Sequence, residues 1–115
     1  MVVPSAGEVV LIPFPFSDLS QSKLRPAVCL APVGRGDWVL CQVTSNAYGD
    51  PSALPLVAAD FVAGGLRMTS FARPGKLFTA SAGLVVRSVG MLNPVALGRL
   101  LAAVARLFRP IDTDA

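Results

Sequence analysis

The chain has 115 residues, 53% of them apolar and 15% charged, with ten Lys and Arg against seven Asp and Glu. That length allows one domain with one core, and the apolar excess is more than so small an interior hides, so self-association is expected. Histidine is absent, which removes the usual general base and the usual metal ligand together, and no CxxC pair, carboxylate cluster or glycine-rich phosphate loop takes its place, so neither a metal nor a nucleotide cofactor is expected.

Along the chain, Glu8-Val9-Val10-Leu11-Ile12 reads as a first strand that Pro13-Phe14-Pro15-Phe16 stops, because proline cannot donate to a central ladder. Ser17 to Lys23 is a polar, exposed loop, after which Pro26 presets the backbone for a strand over Ala27 to Ala31. The turn Gly34-Arg35-Gly36-Asp37 joins that strand to Trp38 to Val43 in an antiparallel hairpin. Centring the turn on Arg35 sets Cys29 opposite Cys41, Leu30 opposite Leu40 and Arg25 opposite Ser45, or opposite Thr44 if a bulge slips the register by one.

A second polar loop, Ser45 to Ser52, leads into a short strand around Leu54 to Val57, and Gly64-Gly65 breaks the chain again. Further short strands are expected at Met68 to Ala72 and Gly83 to Val89, with a turn at Pro74-Gly75 between them and Lys76 to Thr79 leading out of it. Short strands at even spacing suggest a small barrel over about residues 7–92. Asn93 is suited to an N-cap and Pro94 to the first helical position. With Leu97, Leu100, Leu101, Val104 and Phe108 at helical spacing they predict one amphipathic helix over about 94–108, Arg99 and Arg106 sharing its wet face. The whole of 1–115 is read as a single domain, mainly β with a C-terminal helix.

No apolar run approaches the roughly 18 residues of a membrane span, and Met1 to Glu8 lacks the pattern of a signal peptide. A cytoplasmic protein is expected, with no membrane partner. In that compartment Cys29 and Cys41 read as buried thiols rather than a disulfide. The net charge of +3 favours an anionic partner.

Arg25 reads two ways: as a surface arginine paired with Asp18 or another carboxylate, or as a phosphate ligand at the mouth of a strand. Thr44 and Ser45 either cap a strand end or add hydroxyls to a site with Arg25. Arg73 and Lys76 are either solvated charges or phosphate contacts near a strand edge. Phe14 and Phe16 read as packing residues before base-stacking ones.

Taken together, Gly7-Glu8-Val9-Val10-Leu11, Pro13-Phe14-Pro15-Phe16-Ser17-Asp18-Leu19 and Lys23-Leu24-Arg25-Pro26-Ala27 resemble the opening of the MazF/PemK-like toxins of bacterial toxin-antitoxin systems. Gln42-Val43-Thr44-Ser45 resembles the second site motif of that family. Gly64-Gly65-Leu66 through Ser70, Arg73 and Lys76-Leu77-Phe78-Thr79 resembles its third block.

The resemblance covers about residues 7–92 and implies an SH3-like barrel with a C-terminal helix, forming a homodimer, that cuts single-stranded RNA without a metal or other cofactor. It implies catalysis by Arg25 and Thr44 and RNA binding by Lys23, Ser45, Asn46, Arg73 and Lys76. It also implies a cognate antitoxin protein as partner, with DNA reached only through that antitoxin. Two other readings share the fold: a toxin that poisons DNA gyrase through a C-terminal tryptophan motif, and a barrel that binds a partner or nucleic acid without cutting. The only tryptophan here is Trp38, far from the end Ile111-Asp112-Thr113-Asp114-Ala115, which argues against the gyrase reading.

Overall fold

The structure, a computed structural model, describes residues 3–15 and 22–109. Seven strands, β1 (Glu8–Pro15), β2 (Ser22–Gly34), β3 (Asp37–Thr44), β4 (Leu54–Leu56), β5 (Phe61–Gly64), β6 (Ser70–Ser81) and β7 (Arg87–Leu92), precede one helix, α1 (Pro94–Leu107). The strands form one antiparallel sheet in the order β4-β6-β3-β2-β1-β7-β5, curled into a half-barrel. The expected loop from Ser17 to Lys23 lies mostly outside the described residues, as do Phe16 and Asp18.

Alternation along the central strands sends side chains to two cores. Val9, Val28, Leu30, Cys41 and Val43 pack on one face with Leu92, Ala96 and Leu100. Val10, Ile12, Ala27, Cys29, Trp38 and Leu40 pack on the other. Burying both faces explains why these strands read as nearly unbroken apolar runs rather than as alternating ones. It also places Cys29 and Cys41 in different cores, on opposite sides of the sheet.

The hairpin turns through Arg35 and Gly36, both at positive φ of 58° and 77°, which matches the twist of the flanking strands. Ala31 faces Val39, but the register shifts at Leu30, so that Cys29 faces Leu40 and Val28 faces Cys41. The expected pairing of Cys29 with Cys41 is therefore off by one residue, because the bulge adds a residue to β2.

Three prolines correct the expected strand ends. β1 runs on through Pro13 to Pro15, paired with β2, because β7 accompanies it only as far as Leu11; beyond that point one edge of β1 needs no N–H donors. Pro74 does not end a strand either. β6 is continuous from Ser70 to Ser81, and residues 73–76 form a wide bulge between the pairs Val43–Ala72 and Cys41–Leu77. The strand expected at Gly83 to Val89 starts later, after a 3-10 turn at Ala82–Leu84.

Helix α1 begins as expected. The Asn93 side chain accepts the Ala96 amide at 2.8 Å, and Pro94 opens the first turn. Asn93 also donates from Nδ2 to the Ala59 carbonyl at 3.0 Å, and Arg99 meets the buried Asp60 carboxylate at 2.9 Å. These bonds tie the helix to the 3-10 turn Ala58–Asp60. Leu100 is fully buried against the sheet, worth about 2–3 kcal/mol of transfer free energy.

Candidate active site

Where the ladder between β2 and β3 ends, at Ala27 opposite Gln42, the two strands open into a cleft of about 340 Å³. Lys23, Arg25 and Pro26 line it from β2, Val43, Thr44 and Ser45 from the end of β3, and Leu66, Arg67, Met68 and Ser70 from the segment leading into β6. Continuing the shifted register past Ala27 brings Arg25 level with Thr44. By strand alternation both belong to the face that carries Ala27, Cys29 and Leu40. The two residues that the sequence brings together share one cleft.

The described lining of this cleft holds three cations, Lys23, Arg25 and Arg67, and among the described residues no Asp or Glu. Lys23 and Arg67 are exposed and Arg25 is half-buried, a graded arrangement suited to drawing an anion in and holding it against a fixed guanidinium. A larger depression of about 520 Å³ lies elsewhere, lined by Pro4, Glu8, Val85, Arg87 and Ser88 among others. It offers a carboxylate and apolar walls but no group of cations beside a buried hydroxyl, so composition rather than size selects the site.

Thr44 is buried, at 3% exposure, and its Oγ1 accepts the Asn46 amide at 3.2 Å. Asn46 Oδ1 in turn accepts the Tyr48 amide at 2.8 Å. Asn46 therefore sits beside the cleft and shapes the loop behind Thr44, while Ser45 is exposed in the lining itself.

Arg73 and Lys76 are not among the residues lining the cleft. Arg73 Nε meets Asp50 Oδ2 at 3.0 Å, and its guanidinium lies 5.6 Å from the centre of the Tyr48 ring. The Ser52 amide and then Arg73 hold the Asp50 carboxyl below the usual carboxylate range. This tie is consequently present at neutral pH and is lost only as the pH falls through that lowered value.

Arg67 is the cation that the sequence reading missed. It follows Gly64-Gly65 and lies between two residues, Leu66 and Ser70, of a block already singled out. Nothing in the linear sequence shows that this segment folds back on the end of β3. A second depression of about 320 Å³, lined by Leu56, Val57 and Phe61, shares Leu66, Arg67 and Met68 with the cleft, so Arg67 stands on the ridge between the two. Among the described residues no three Cys, Asp or Glu side chains gather as a metal site would need.

Neither a protein-family model nor a curated protein sequence matches the chain. Solved structures do. MazF from Deinococcus radiodurans superposes with a TM-score of 0.73 at 23% identity, covering 93% of this chain and 97% of that one. An endoribonuclease from a mycobacterial species, in complex with its cognate antitoxin, gives 0.70 at 17% identity over 97% and 100%. The chain has the MazF fold. A third structure, the Mycobacterium tuberculosis toxin MazF-mt6, gives 0.66 at 18% identity over 88% and 95%. The mainly β fold with a C-terminal helix expected from the sequence is thus that of the MazF toxins, its sheet curled into a half-barrel. At these identities it is the fold that is shared, and the chemistry rests on what this MazF-like chain places in its cleft.

Proposed function

We propose that this protein is the toxin of a toxin-antitoxin pair, an endoribonuclease that cuts single-stranded RNA at chosen sequences without a metal ion and so stops translation and growth. The observation that carries this reading is the cleft that Arg25 and Thr44 line together with the cations Lys23 and Arg67, set in a MazF fold. Phosphate chemistry on RNA needs little more. The ribose 2′-oxygen attacks the adjacent phosphorus and forms the new P–O bond as the bond to the 5′-oxygen breaks. The 2′-hydroxyl proton leaves and the 5′-oxygen gains one, giving a cyclic phosphate and a free 5′-hydroxyl.

The substrate supplies its own nucleophile, so the protein's task is to stabilise charge. Arg25 donates paired, charge-assisted hydrogen bonds to the non-bridging oxygens as their charge grows. Thr44 already uses its oxygen to accept from Asn46, which directs its own O–H toward another acceptor; a phosphate oxygen in the cleft is that acceptor. Lys23, Ser45 and Arg67 hold neighbouring phosphates and sugars.

A homodimer and a cognate antitoxin belong to the same reading. Self-association is supported by the outer face of α1, where Pro94, Gly98, Leu101, Ala105 and Phe108 are all exposed at a four-three spacing. The cation-lined cleft suits an acidic antitoxin segment that competes with RNA. Trp38 is buried in a core, a poor position for a gyrase-poisoning motif.

The test is cleavage of single-stranded RNA by the purified protein in excess EDTA. Cutting is expected, with products ending in cyclic phosphate, and Arg25→Ala lowers it by about 100-fold or more while the fold persists. Activity that vanishes on chelation sinks the metal-free mechanism, and an unimpaired Arg25→Ala sinks the site.

A further inference from the structure

Tyr48 has no role in the chemistry above, yet it is held with unusual care. The residue is 64% exposed, whereas Phe14 packs edge-on against Phe78 at 5.0 Å. Its backbone is left-handed, with φ of 54°, a conformation that side-chain-bearing residues adopt only at a cost. Three contacts keep it there. Asn46 Oδ1 accepts its amide at 2.8 Å, Asn46 is itself bonded to Thr44, and Arg73 lies against the ring at 5.6 Å. Arg73 is pinned by Asp50, and Asp50 Oδ1 accepts the Ser52 amide at 2.9 Å.

The sheet fixes where this assembly lies. Thr44 faces Phe71 across β3 and β6, and Arg73 opens the bulge of β6 two residues beyond Phe71. Two residues of strand span about 7 Å. A ring resting on Arg73 and bonded back through Asn46 to Thr44 therefore lies next to the cleft. One of its faces is taken by a guanidinium, and its exposure leaves the rest of the ring to a ligand.

We infer that Tyr48 is a base-stacking platform of the RNA site, clamped in advance by Arg73 and Asp50, and that it selects the nucleotide lying beside the cut. This rests on the nuclease reading above. An RNA base is a flat apolar ring with the right dimensions, and an aromatic already ordered by the protein loses little freedom when the base lands on it. Because the loop runs from Thr44 through Asn46 to Tyr48, the ring is also registered to the reacting phosphate.

The experiment compares the wild-type protein with Tyr48→Phe, Tyr48→Trp and Tyr48→Leu on a random-sequence single-stranded RNA pool, mapping cut ends and measuring KM and kcat on one cut sequence. Phe and Trp are expected to keep the base preference beside the cut. Leu is expected to lose it and to raise KM about tenfold or more, with kcat within about threefold of wild type. A non-cleavable oligonucleotide with a 2′-deoxyribose at the cut and 2-aminopurine beside it is expected to lose fluorescence on the wild-type protein but not on Tyr48→Leu.

Unchanged KM and base preference in a folded Tyr48→Leu overturn the platform while leaving the nuclease intact. A Leu variant that falls in kcat alone, with its preference kept, overturns it in favour of a structural role for the loop. If Leu does not fold, Phe and Trp still decide the matter, since altered preference with either ring in place overturns the platform. A wild-type protein that neither cuts nor binds any member of the pool overturns the nuclease reading itself.

Discussion

Thr44 Oγ1 accepts the amide hydrogen of Asn46 at 3.2 Å, and this one bond sets the polarity of the hydroxyl in the cleft that Thr44 lines with Arg25. A hydroxyl oxygen committed as acceptor to the backbone has its own hydrogen left to give. Thr44→Ser preserves both halves of that arrangement, whereas Thr44→Val keeps the shape and removes the donor. RNA cleavage is expected to fall by about tenfold to 100-fold in the valine variant, the loss of one neutral donor to a charged transition state, and to stay near wild type in serine. Single-turnover rates on one oligonucleotide check this, and a valine variant that cuts normally removes Thr44 from the chemistry.

Arg67 is exposed on the ridge that the cleft shares with its neighbouring depression, so it is placed to touch phosphates on the strand without reaching the bond that breaks. Arg67→Ala is expected to weaken RNA binding several-fold across all sequences. It should also reduce the slope of log affinity against log salt by about 0.7, the share of one phosphate contact on a single strand, with kcat held. An unchanged salt slope contradicts this placement. Arg73, bonded to Asp50 in this structure, is expected to contribute less to that slope than Arg67.

The sequence made the hairpin and the helix legible for local reasons. Gly34 to Asp37 supplies turn chemistry at the place where φ must be positive, and Asn93 with Pro94 marks a helix start that no neighbour needs to enforce. Register was legible only to within one residue, because the bulge at Leu30 answers to how the sheet curls and not to any local signal. Pro13, Pro15 and Pro74 misled for a related reason: whether a proline ends a strand depends on which neighbour runs beside it, and that is a tertiary fact. Arg25 and Thr44 line one cleft despite the slip, because a change of one residue in register still leaves them on adjacent strand ends. Arg67 reaches the site through the return of residues 64–69, and the tie between Asp50 and Arg73 joins a loop to the bulge of β6; both are long-range.

Cys29 and Cys41 sit in separate cores, and burial pushes both thiols from 9.0 to about 12. Raised acidic groups of this kind favour the folded state below the unfolded value, and that contribution is lost as the pH rises from 9.0 toward 12. Thermal stability is therefore expected to decline above about pH 9, and the decline should vanish in a Cys29→Ala, Cys41→Ala double variant compared at each pH with its own neutral value. Alkylation of the native protein by iodoacetamide at pH 8 should be slow and limited by opening of the fold. Rapid native alkylation, or an intramolecular disulfide formed without unfolding, contradicts the separation of the two thiols.

Gly64 and Gly36 share a left-handed backbone, with φ of 62° and 77°, but differ in what surrounds them. A methyl group on Gly64 runs into the Val89 carbonyl oxygen and comes within 2.8 Å of the Gly90 Cα, whereas around Gly36 there is nothing within 4 Å. Gly36→Ala carries only the left-handed penalty, about 1–2 kcal/mol. Gly64→Ala adds a backbone collision that parts β5 from β7, for a total of about 3 kcal/mol or more. With about 4–8 °C of Tm per kcal/mol for a domain near this size, the Gly64 variant should melt at least about 10 °C below wild type and clearly below the Gly36 variant. Because Gly64 leads directly into the segment carrying Arg67, its RNA affinity should fall as well, and equal melting of the two variants contradicts the close approach of β5 to β7.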